Sequence, residues 1–99
     1  MSSFSYTYVL LSEKDGKFYT GCTDDLKERF ALHKRGRVPS TRDRRPLELV
    51  YYEACRDRKD ARHRELYLKT THGKAYLRKR LKSYLMGSKR LVLDANPVK

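Results

Sequence analysis

The sequence predicts one small α+β domain, and three observations predict it. Ninety-nine residues fall within a single domain by length. Two runs rich in aromatic and β-branched residues flank an Asp-Gly turn, and a third such run follows further along the chain. Three stretches with apolar residues at helical spacing lie between and after them. Hydrophobic residues make up 38% and charged residues 36%, so a modest core sits beneath a heavily charged surface.

Residues 6–11 (Tyr-Thr-Tyr-Val-Leu-Leu) read as the first strand, with Tyr6, Tyr8 and Leu10 on one face and Thr7, Val9 and Leu11 on the other. Asp15-Gly16 is a hairpin signal, and residues 18–22 form the returning strand. Any connecting loop with an even number of residues puts Tyr8 and Tyr19 on the same face. Two registers are open. A two-residue turn at Asp15-Gly16 sets Tyr19 opposite Ser12, roughly 13 Å along the strand from Tyr8. A wider loop centred on Glu13-Lys14, with a bulge at Gly16, sets the two tyrosines directly across from each other, and a shared site favours it. Gly21 shares the tyrosine face, where a glycine within a strand marks a bulge or a close backbone approach.

Thr23-Asp24-Asp25 caps a helix, with Glu28 three residues after Asp25. Leu26 and Phe30 form its apolar stripe. At helical spacing Arg29 lies about 60° from Leu26 and His33 about 20° from it, so both aim at the buried side or its rim. Residues 34–46 read as a loop broken by Gly36, Pro39 and Pro46. Residues 47–55 (LELVYYEAC) are the third strand. Asp57 caps a second helix over residues 58–70, in which Ala61, Glu65 and Leu68 share a stripe. Burying the Glu65 carboxylate there is costly unless it is paired or holds a metal. Gly73 ends that element. A third helix spans about residues 74–86, with Leu77, Leu81 and Leu85 inward. No acid occurs from Lys69 to Leu93. The domain thus covers residues 1–86, and residues 87–99 form a basic tail, frayed or loosely docked.

Twenty-four Lys and Arg against 12 Asp and Glu leave a formal charge of +12, which suits a phosphate backbone or an anionic membrane face. No apolar run approaches the roughly 18 residues of a membrane span, and the first residues lack a signal-peptide pattern. Cys22 and Cys55 have no metal-ligand spacing and read as reduced, packed thiols, which fits the cytoplasm. In the 34–46 loop six cations face one acid. Lys34, Arg35, Arg37, Arg42, Arg44 and Arg45, with the hydroxyls of Ser40 and Thr41, are the candidate contacts to nucleic acid. His63 and His72 have no ligand partners at suitable spacing and read as surface residues.

With these residues in place, the chain resembles the GIY-YIG nuclease domain, in the short stand-alone form found in bacteria. Tyr6-Thr7-Tyr8 stands for the first motif and Tyr19-Thr20-Gly21 for the second. Asp-Leu-Lys-Glu-Arg ending at Arg29 follows, then His33, then Arg64-Glu65 on a helix. The resemblance covers about residues 6–85. It implies a three-stranded antiparallel sheet flanked by about three helices, and divalent-metal cleavage of phosphodiesters. By the same resemblance Glu65 holds Mg²⁺ or Mn²⁺, Tyr8 takes a proton from the attacking water, Tyr19 supports it, and Arg29 contacts the scissile phosphate. His33 stands where the family has His or Tyr and is placed to relay the proton. This chemistry is sound: a guanidinium fork and a metal neutralise the phosphate oxygens, and both favour the Tyr8 phenolate. The first motif departs from Gly-Ile-Tyr. Many relatives also carry an asparagine after the glutamate helix, whereas Asn96 in the tail is the only one here.

The expected activity is therefore a metal-dependent DNA endonuclease with little sequence specificity, contacting DNA mainly through its backbone. A second reading is a non-catalytic nucleic-acid binder that keeps the fold. A third is a small structural protein on RNA.

Overall fold

A computed structural model describes residues 3–87. The strand β1 (Ser5–Ser12) has no polar face, and seven of its eight residues are buried. A strand of this kind must lie in the middle of a sheet with cover on both sides. It does: β2 (Phe18–Thr23) and β3 (Leu47–Cys55) pair with it on either edge, both antiparallel, in the order β2-β1-β3. The remaining elements are α1 (Leu26–Lys34), the one-turn α2 (Pro39–Arg42), α3 (Arg58–Leu68), α4 (Thr71–Arg80) and α5 (Lys82–Met86).

The alternation of β1 sorts the core into two layers. Tyr8 and Leu10 pack with Leu47, Tyr19 and Leu49 beneath Leu26 and Phe30 of α1. On the opposite face Val9 packs with Leu68 of α3 and Leu77 of α4, and Leu11 with Leu85 of α5. Thr7, also on that face, donates its hydroxyl to the Ala61 carbonyl at 2.7 Å, which fixes α3 against β1. The caps fall where the sequence places them: Asp25 accepts from the Glu28 amide and Asp57 from the Lys59 amide.

The hairpin takes neither expected register. Tyr8 opposes Gly21, and Tyr19 opposes Leu10. Ser12 decides this. Its amide donates to the Lys17 carbonyl at 3.0 Å, its carbonyl accepts from Gly16, and its hydroxyl accepts from the amides of Lys14 and Asp15. The loop therefore closes between Ser12 and Lys17. Four residues intervene, the even count survives, and the tyrosines share a face two positions apart.

Three other boundaries differ from expectation. Pro39 opens α2 as its first residue instead of breaking the chain. Gly73 lies inside α4, its amide held by the Thr70 hydroxyl at 3.0 Å. A Cβ there would fall 2.5 Å from Leu68 Cα and closer still to the Tyr67 carbonyl, so Gly73 is a packing glycine where α4 crosses the end of α3. The third helix is two, divided at Leu81. Of the tail expected over residues 87–99, residues 88–99, Asn96 among them, lie outside the described residues. Among those described, no helix is long and apolar enough to cross a membrane.

Candidate active site

The site begins where Tyr8 crosses Gly21. A Cβ on Gly21 would lie 2.5 Å from Tyr8 Cζ and closer to its hydroxyl, so only glycine lets the phenol pass over β2. Tyr8 is 1% exposed. Its hydroxyl lies 2.8 Å from His33 Nε2, and Arg29 Nε donates to the same oxygen at 3.4 Å. His33, fully buried on α1, has its Nδ1 2.8 Å from Thr41 Oγ1. The Thr41 hydroxyl in turn donates to the Val38 carbonyl at 3.5 Å.

One proton arrangement uses every atom of this chain. Thr41 donates to Val38, so its oxygen accepts Nδ1–H from His33. That leaves Nε2 as an acceptor for the Tyr8 hydroxyl proton. Burial, aided by the nearby Arg29 charge, pushes His33 down to about 4, so it is neutral at physiological pH. Burial also raises Tyr8. The Arg29 hydrogen bond opposes this but does not overcome it. Arg29 does favour the Tyr8 phenolate, as expected, but without a metal ion beside it the desolvation of the buried ring prevails. At rest a neutral phenol faces a neutral imidazole.

Tyr19 closes the other side. Its ring meets His33 edge-on at 5.3 Å, and Tyr8 meets the same imidazole at 5.6 Å, so His33 is wedged between two phenols. Arg29 is held more firmly charged, first by the Tyr8 hydrogen bond and further by the fields of both tyrosines. Ser40, exposed on α2, donates to the Tyr19 hydroxyl at 3.4 Å.

Glu65 comes from the other layer. It lies on the buried stripe of α3 with Ala61 and Leu68, and is 5% exposed. Arg62 and Lys69 each contact one of its oxygens at 2.9 Å. Its charge helps raise both Tyr8 and Cys22, so its field reaches the phenol. Among the described residues no three His, Cys, Asp or Glu side chains gather as a metal cage. A lone carboxylate with hard oxygens still fits Mg²⁺ or Mn²⁺, which are commonly held by one or two carboxylates, water and a substrate phosphate. Arg62 and Lys69 engage both of its oxygens, and a metal ion bound there would take their place.

The basic loop divides. Lys34, Arg35, Arg37 and Arg42 are exposed beside the site. Thr41 is not a surface contact: it is fully buried and orients His33. Arg44 is committed to Asp15 and to the carbonyls of Lys17 and Phe18, bracing the hairpin. Arg45 folds back onto the carbonyls of Arg42 and Lys34. Burial corrects the expectation of phosphate contact for Thr41, whereas Arg44 and Arg45 spend part of their donors on local acceptors. The ties of Arg62 and Lys69 to Glu65 went unread in the sequence, although both stand at helical i, i+3 or i, i+4 spacing from it. His63 and His72 are exposed, as expected, and Cys22 and Cys55 are free.

Comparison with known proteins adds a family. The family model described as the GIY-YIG catalytic domain matches residues 4–80. A UPF0213 protein from Lacticaseibacillus paracasei is 44% identical over 72 residues, covering 70% of this chain and 80% of that one. A UPF0213 protein from Bacillus licheniformis is 30% identical over 100 residues, covering 100% of this chain and 98% of that one. A solution NMR structure of a UPF0213 protein from Bacillus halodurans aligns with a TM-score of 0.47 at 28% identity, covering 96% and 99% of the two chains.

Proposed function

The chain belongs to the GIY-YIG family, and on that footing we propose that it is a Mg²⁺- or Mn²⁺-dependent DNA endonuclease with little sequence preference. One observation carries the reading. A buried tyrosine hydroxyl is shared between an uncharged imidazole and a guanidinium, within the field of a helix-borne carboxylate.

The side chains divide the work. Arg29 binds the non-bridging oxygens of the scissile phosphate through its planar fork. Tyr8 passes its proton to His33 Nε2 and takes one from the attacking water. Substrate assists this step. A phosphate on Arg29 cancels part of the positive charge that depresses His33, so the imidazole becomes a better acceptor when DNA is bound. Thr41 holds the tautomer this requires, and Tyr19 packs the imidazole in place. Glu65 would hold the metal ion, which supplies Lewis acidity to the phosphate and stabilises the leaving oxygen. Lys34, Arg35, Arg37, Arg42 and Ser40 line the approach and read backbone, not bases. The free thiols suit a reducing cytoplasm.

The test is cleavage of supercoiled, branched and single-stranded DNA with Mg²⁺ or Mn²⁺, beside Glu65→Gln and Tyr8→Phe. Cutting by the parent that both variants lose supports the enzyme; equal cutting by all three overturns the site. A non-catalytic binder is the second reading, favoured by a Glu65 already satisfied by Arg62 and Lys69. It expects DNA binding with no cutting in either metal.

A further inference from the structure

The proposed site leaves Arg62 and Lys69 without a role beyond pairing Glu65. The Glu65 side chain is 7% exposed, whereas those of Arg62 and Lys69 are 60% and 48% exposed. Each cation holds one carboxylate oxygen through one nitrogen at 2.9 Å, Arg62 from three residues before and Lys69 from four residues after. Two half-exposed cations therefore lie over a buried acid, on the side from which solvent reaches it. Neither makes another side-chain hydrogen bond or ion pair among the described residues. Arg64, next to Glu65, is the contrast. Its Nε lies 3.0 Å from both Glu53 oxygens, and its guanidinium sits over the rings of Tyr67 and Tyr76. Arg64 is built into the fold, while Arg62 and Lys69 are held at their charged ends by the carboxylate alone.

The cluster adjoins the chemistry. Tyr8 passes over Gly21, and the Glu65 charge adds to the burial that raises it. At Cys22, the next residue of β2, burial raises the thiol, Glu65 raises it further and Arg62 opposes this. A divalent ion on Glu65 would repel both cationic head groups, and neither an ammonium nor a guanidinium has a lone pair with which to ligate it. Once displaced, both cations stay tethered within about a helical turn of Glu65. The strongest acceptors then within their reach are the phosphate oxygens of DNA at the same site. We propose that Arg62 and Lys69 are a displaceable clamp: they cap Glu65 in the resting protein, leave it when a divalent ion binds, and then hold backbone phosphates beside the scissile one. Metal and DNA thereby bind cooperatively. The ion frees two contacts that DNA uses, and DNA occupies the two cations that compete with the ion. This inference rests on the reading of Glu65 as the metal ligand of a DNA-cutting site. Simple neutralisation of a buried acid would need the same pairs but no exchange.

Three measurements on the full chain test the exchange, and none of them reads cutting. Mn²⁺ binding without DNA, followed by electron paramagnetic resonance, should tighten about fivefold or more in Arg62→Gln/Lys69→Gln and be lost in Glu65→Gln. In chelator, Glu65→Gln leaves both cations free. It should bind a short DNA duplex with a slope of log K against log salt steeper than the parent's by about 2, and Arg62→Gln/Glu65→Gln/Lys69→Gln should lose that gain. The third measurement keeps Arg62, Glu65 and Lys69 in place and uses Tyr8→Phe, so that DNA stays whole. Acetylation of Lys69 should rise when Mn²⁺ is added and fall again when DNA follows. Because the clamp itself is unaltered there, misfolding of a clamp variant cannot decide the outcome. Mn²⁺ binding that Glu65→Gln leaves intact, Lys69 reactivity that Mn²⁺ does not change, or a Lys69 that Mn²⁺ releases and DNA leaves unprotected would overturn the clamp. Absence of cutting by the parent in the metal assay would instead overturn the nuclease reading, and these binding results would still stand.

Discussion

At Tyr8 the outcome depends on its neighbours' protons. Thr41 determines which nitrogen of His33 accepts, so Thr41→Val should orphan Nδ1–H in a dry place. Cleavage should fall roughly 10- to 100-fold, while DNA affinity in chelator stays within twofold. Thr41→Ser should restore most of the rate. A loss of affinity instead would return Thr41 to the role of a phosphate contact. His33 also carries a pH signature. It protonates near 6.5 in the unfolded chain and at about 4 in the fold. Between these values the unfolded state binds more protons, so stability falls as pH falls. Urea denaturation should show a loss of about 2 kcal/mol between pH 7 and 4.5, absent in His33→Gln. Asp15, held down to about 2 by its bonds to Arg44, Lys17 and Ser12, titrates below this window and does not blur it. The convergence of Tyr8, Tyr19, Arg29 and His33 was legible from strand parity and helical angles. Thr41 was not, because a hydroxyl in a basic loop looks like a donor to phosphate, and only the turn through Gly36 and α2 brings it under the imidazole.

Among the elements, strands and caps were the readable part. LELVYYEAC is β3 from end to end, and Asp25 and Asp57 cap as their positions imply. Side chains that bond their own loop decided the rest. Ser12 set the hairpin register through four bonds that strand patterns cannot show. Gly73 looks like a helix stop in sequence, yet it is the point of closest approach between α3 and α4. The distinction is measurable. A Cβ at Gly73 meets backbone, which cannot rotate away as a side chain can, so Gly73→Ala should cost about 2–3 kcal/mol in urea denaturation. If Gly73 merely terminated a helix, alanine would be neutral or mildly stabilising through its higher propensity.

For the whole molecule, the formal charge of +12 acts on folding and on binding with opposite signs. Self-repulsion opposes the compact state, and salt screens it over a Debye length of about 10 Å at 0.1 M. Adding salt should therefore raise the melting temperature by a few degrees. The same ions compete at the phosphate contacts. Lys34, Arg35, Arg37 and Arg42 beside the site are four exposed cations, so DNA affinity should drop by about 10²-fold between 50 and 200 mM salt. Thermal melts and binding isotherms over one salt series test both arms. A shallow binding slope with the expected rise in melting temperature would mean that the charge serves solubility and that DNA is held by few contacts. A steep slope with no gain in stability would mean that the cations are already spaced beyond mutual repulsion.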